Sequence, residues 1–174
     1  MNKPWEVINL LEEDNSRLVK ENILKHEVLN NNTELFEGFK LALDASVTFG
    51  VKKVEEKTNE SGSGLAWDKF VSSTRTLIDR TCTGNAARDL ITEMMNQATT
   101  EQWNNWYRRI LIKDLRCGVS EKTINKVVKH HANYSIPRFT CQLAHDSANH
   151  ESKVSGKKLL EVKLDGVQIG RAHV

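Results

Sequence analysis

Apolar residues recur at helical spacing through most of the first 130 positions. Trp67, Phe70, Val71, Thr74, Leu77 and Ile78 form one stripe, Ala87, Leu90, Ile91, Met94 and Met95 a second, and Trp103, Trp106, Tyr107, Ile110 and Leu111 a third. Each predicts a helix with one face in a core, and the tryptophans and methionines read as packing residues. The same test predicts helices over Trp5–Leu11, Leu18–Leu29 and Leu35–Val47, with breaks at "NNNT" (30–33) and "NESGSG" (59–64). Beyond His131 the periodicity changes. "IPRFTCQLA" (136–144) has no helical stripe, and "KKLLEVKLDGV" (157–167) alternates Leu160, Val162 and Leu164 against Glu161, Lys163 and Asp165, a strand pattern. The expected fold class is therefore mainly α: a helical domain over 1–131, then from 132 the first strands of an α+β unit.

Two turns interrupt the helices. In "TCTGNAA" (81–87), Thr83 or Asn85 can cap a helix, with Gly84 between them; in "DLRCGVSEKT" (114–123), Gly118 closes one helix and Ser120 caps the next. Both leave a helix start with unpaired N–H groups, which suits an anion and also suits an ordinary helix hairpin. Arg109, Lys113 and Arg116 fall at i, i+4 and i+7 beside Arg108, and Lys122, Lys126 and Lys129 follow at similar spacing. Only Asp114 and Glu121 interleave with them. Such a run reads either as a solvated charged face or as a stripe for backbone phosphates.

Composition narrows the class. The chain has 174 residues, 39% hydrophobic and 28% charged, and a net charge of only +2, so a nucleic-acid reading rests on local clustering. No apolar run approaches the roughly 20 residues of a membrane helix, and the start turns acidic where a signal peptide would not; a cytoplasmic protein without a membrane partner is expected. Cys82, Cys117 and Cys141 are odd in number and widely spaced, against a disulfide framework. Cys141, His145 and His150, with His130 and His131, match no common structural-zinc spacing, and no metal ligand is assigned.

In a strand over 157–167, Glu161, Lys163 and Asp165 share a face, and Gly166 permits close approach of backbone to a ligand. A lysine is a nucleophile toward phosphorus only as the free amine, yet it ordinarily titrates at about 10.4, so its surroundings must lower that value. An exposed, charged strand end is the plainer reading, although K-x-D-G arises by chance in only about a few per cent of chains of this length.

"LLEVKLDGV" resembles the first nucleotidyltransferase motif of ATP-dependent DNA ligases, E-x-K-x-D-G-x-R. "TGNAA", "RRILIKDLRCGVSEKTINKV" (108–127) and "IPRFTCQLA" are similar to segments of the DNA-binding domain and domain junction of those ligases, especially the enzymes of large tailed bacteriophages. The resemblance covers about residues 74 to 167. It implies that Lys163 attacks the α-phosphate of ATP with Mg2+ to form lysine–AMP, that AMP passes to the 5′-phosphate of a nick, and that the 3′-hydroxyl displaces it. Glu161 would meet the adenine or ribose, and Leu164, Asp165 and Gly166 would shape the nucleotide pocket. The helical domain of a monomer would hold nicked duplex through Thr83, Gly84, Asn85, Arg108, Arg109, Lys113, Arg116, Gly118, Ser120, Lys122 and Lys126.

The chain departs from the pattern at Gln168, where an arginine is expected. "IGRAHV" (169–174) equals the translation of a common sequencing-library adapter, so 169–174 are expected to be read-through, 132–168 a truncated adenylation domain, and the chain as it stands inactive in sealing. Alternatives are an RNA ligase or capping nucleotidyltransferase, disfavoured by the long helical domain before the lysine, and a non-catalytic DNA-binding module.

Overall fold

A computed structural model describes residues 2–138 together with Gly156 and Lys157. The chain divides into two compact units, Met1–Phe139 and Thr140–Val174. The expected strand over 157–167, apart from Lys157, and with it Glu161, Lys163, Leu164, Asp165 and Gly166, lies outside the described residues, as do residues 168–174.

The first unit is built of helices and the segments that join them, and no strand forms among the described residues. Its helices are α1 Pro4–Glu13, α2 Arg17–Leu29, α3 Thr33–Leu43, α4 Trp67–Ile78 and α5 Gly84–Gln97. Then α6 runs in three joined segments, Thr100–Gln102, π-helical Trp103–Tyr107 and Arg108–Leu111, followed by α7 Glu121–Val127 and a short 3-10 turn, Ala132–Tyr134. None of these helices is long and apolar enough to cross a membrane.

The stripes of α4, α5 and α6 contribute to one core, in which α6 supplies the largest side chains. Trp103, Trp106, Tyr107 and Ile110 are at most 1% exposed, and α1 and α3 pack against this helix. The approach of α3 is close because residue 38 has no side chain: a Cβ on Gly38 would lie 2.2 Å from the Trp106 ring. α4 brings Phe70 to 4.4 Å from the Tyr107 ring and Trp67 to 6.1 Å from Trp106, pairs of the kind that stabilise by about 0.5–1.5 kcal/mol beyond area burial. α7 packs on α2, and the 3-10 turn on α3.

Three expected boundaries shift. The third helix ends at Leu43 instead of Val47, because Asp44 folds back and its carboxylate accepts from the N–H and hydroxyl of Ser46. The helical unit continues beyond 131: Tyr134 stacks on Phe36 at 4.6 Å and Ile136 is 1% exposed, its N–H donating to Asn125. Finally, the helix carrying Arg108 stops at Leu111, well before Gly118. Its terminus is a Schellman motif with Lys113 in the left-handed position usually given to glycine (φ +58°), Lys113 N–H bonding the Ile110 carbonyl and Asp114 N–H that of Arg109.

Between α3 and α4, residues 44–66 form a strap without helix or strand. Side chains of α6 satisfy its backbone. Trp103 Nε1 donates to the Glu55 carbonyl, Asn104 accepts from Lys57 N–H and donates to its carbonyl, Tyr107 donates to Leu65 at 2.7 Å, and Arg108 Nε to Val54 at 2.9 Å. These four residues share the face of α6 where Arg108 N–H reaches back five residues to Trp103, the widened turn of a π-helix. Lys57, 4% exposed, crosses under the strap and donates to the carbonyls of Met95, Asn96 and Ala98, which end α5.

Candidate nucleic-acid interface

The basic residues singled out by spacing do not form one stripe. Because the helix stops at Leu111, Arg109, Lys113 and Arg116 leave in different directions. Arg108 contacts Glu56 at 3.2 Å besides its bond to the strap, with its side chain only 15% exposed. Arg109, 12% exposed, binds Glu12 at 2.7 Å and the Leu115 carbonyl. The Lys113 ammonium donates to three carbonyls, Leu41, Asp44 and Val47, at 2.6–3.1 Å, and closes the end of α3; desolvation holds its pKa below the usual lysine value. All three cations are occupied within the fold.

The remaining cations of that group are exposed. Arg116, at φ +54°, faces Asp114 at 3.6 Å, and Lys126 binds both carboxylate oxygens of Glu21 at 2.7 and 2.9 Å. That contact keeps the Glu21 carboxyl below its ordinary range. Lys122 is exposed and has no ion-pair partner among the described residues. Ser120 does cap α7, its hydroxyl accepting from Thr123 N–H, while Gly118, also at positive φ (+64°), lies over the buried Lys20 ammonium that binds the Cys117 carbonyl.

The turn before α5 is better placed. Thr83 occupies the cap position but its hydroxyl makes no cap bond, Gly84 opens the helix at φ +60°, and Asn85 lies inside the first turn, exposed. Thr83 and Gly84 line the mouth of a cleft of about 650 Å3 whose other wall is the strap from Phe49 to Glu55. Lys52, Lys53, Arg80 and Arg88 also line it, and all four are exposed. The one carboxylate in the wall, Glu55, is held by Lys53 at 2.9 Å. Lys52, Arg80 and Arg88 have no acidic partner among the described residues. Arg80 itself, at φ +61°, lies against Gly50 and donates to Thr48, so it joins the α4–α5 turn to the strap.

The candidate interface thus keeps Thr83 and Gly84 and adds Lys52, Lys53, Arg80 and Arg88. Arg80 and Arg88 flank the "TCTGNAA" turn in sequence, a signal that was available; Lys52 and Lys53 sit in "VKKVEEK", where neighbouring glutamates conceal them. Unpaired cations around a helix start offer charge-assisted bonds to phosphate oxygens.

No family model matches the chain, and no curated protein does. Solved structures do. The chain is 51% identical to Pmar-Lig_PreS3, with a TM-score of 0.80 over 90% of this chain and 36% of that one. It is likewise 51% identical to Pmar-Lig_Pre., with a TM-score of 0.82 over 96% of this chain and 39% of that one. The helical fold is shared with these proteins, and the chain spans less than two fifths of the length of either.

Proposed function

We propose that the chain is part of an ATP-dependent DNA ligase, its helical unit holding nicked duplex and its "EVKLDG" run (161–166) supplying the nucleophilic lysine. The observation that carries this reading is the lysine motif following a helical unit of this kind; the syllable "Lig" in the names of the two similar structures is in keeping with it. Lys163 would attack the α-phosphorus of ATP as the free amine, a P–N bond forming as the P–O bond to pyrophosphate breaks, and its proton leaving to solvent. Glu161, Leu164, Asp165 and Gly166 would hold the nucleotide. Among the described residues no group of three or more His, Cys, Asp or Glu side chains could hold a metal ion.

On the DNA side, phosphates would meet Lys52, Arg80 and Arg88 at the start of α5. Arg108, Arg109 and Lys113 serve the fold, and Arg116, Lys122 and Lys126 form a separate exposed group.

The test is a chimera in which residues 1–168 replace the corresponding part of the Pmar-Lig_PreS3 protein. After incubation with ATP and magnesium, intact mass should show one AMP adduct, lost in Lys163→Ala while DNA binding persists. A chimera that binds DNA but carries no adduct would contradict the assignment.

A further inference from the structure

The cleft beside α5 holds more than phosphates require. Besides its cationic rim the cleft has an apolar lining of Val54, Ala87, Ile91 and Met95, with Phe49 and Val51 contributed by the strap. Its volume, about 650 Å3, lies within the range of small-molecule sites, roughly 300–1,000 Å3. A phosphodiester backbone alone would use the rim and leave the apolar lining wet. An apolar peptide would use the lining and leave Lys52, Arg80 and Arg88 without partners. A ligand with an anion at one end and a flat, weakly polar body at the other uses both. Glycine at 84 fits an open mouth, since a Cβ there would meet nothing within 4 Å; the residue is needed for its positive φ rather than for space.

We propose that this cleft binds one nucleotide, its phosphate among Arg88, Lys52 and the first amides of α5, its base over Ile91 and Met95. None of the residues lining it belongs to the lysine motif. Two sources present the same chemistry, a free nucleoside monophosphate and an unpaired nucleotide at the end of a DNA strand, and only the second rests on the ligase reading.

The experiment is calorimetry on the full 174-residue chain with AMP, dTMP, adenosine and inorganic phosphate, together with fluorescence anisotropy on a blunt duplex and one bearing a single unpaired terminal nucleotide. For a free source, a monophosphate binds about tenfold or more tighter than adenosine or phosphate alone, and Arg88→Glu or Met95→Gln removes that margin. For a strand source, the overhang duplex binds about tenfold tighter than the blunt one, with the same dependence on both residues. Dependence on Arg88 and Met95, which line the cleft, separates it from the lysine motif; binding left unchanged by both substitutions would assign it to the lysine motif and overturn the proposal. Inorganic phosphate binding as well as the monophosphates, or no preference in either assay, would also overturn it.

Discussion

Lys57 and Lys113 are each surrounded by three main-chain carbonyls, one at the end of α5 and the other at the end of α3. A helix C-terminus leaves carbonyls unpaired, and an ammonium both satisfies them and meets the negative end of the dipole. Replacing either lysine by methionine keeps the length of the side chain and strands the carbonyls, so each substitution should lower stability by about 1–3 kcal/mol in chemical denaturation. Gly38→Ala should also destabilise, by about 1–3 kcal/mol, although alanine is the better helix former by about 1 kcal/mol, because its Cβ meets the buried Trp106 ring. Glu21 sets an acid limit. Its folded pKa lies below the unfolded value because Lys126 donates to it, so its contribution is present above the unfolded pKa and is lost as pH falls through the folded one. Denaturation midpoints measured from pH 7 down to about 3 should fall less steeply in Glu21→Gln than in the parent chain.

At the scale of elements, α4, α5 and the apolar face of α6 were legible because each buries residues a turn apart, and local periodicity records that. The stop at Leu111 was not. Glycine is the usual mark of such an end, and here Lys113 takes the left-handed conformation, held by contacts to residues about seventy positions earlier. The strap over 44–66 was legible only as loop composition, since its order comes from bonds to α6 that span 42–54 positions. Removing those bonds should loosen the strap before the helices. Tyr107→Phe and Asn104→Ala should therefore raise amide exchange in residues 52–66 by about tenfold or more, while α1 to α3 keep their protection.

For the whole molecule, the candidate interface was half legible. Thr83 and Gly84 stand at the cleft, yet the basic run from Arg108 to Lys126 could not be judged locally, because its acids arrive from elsewhere: Glu12 lies 97 positions from Arg109, and Glu21 lies 105 from Lys126. Folding thus occupies most of that run, Lys122 excepted, and leaves Lys52, Arg80 and Arg88 around the cleft without an acidic partner among the described residues. Because surface electrostatics is screened by salt, this distribution has a measurable form. The most direct measurement is the affinity of the 174-residue chain for nicked duplex across a salt series, with Arg88→Glu and Arg109→Gln in parallel. If three cations neutralise phosphates, log K should fall against log salt with a slope of about −3, reduced by about 1 or more in Arg88→Glu and unchanged in Arg109→Gln. No binding, a slope near zero, or a slope that changes with Arg109 and not with Arg88 would contradict the assignment of DNA to this cleft.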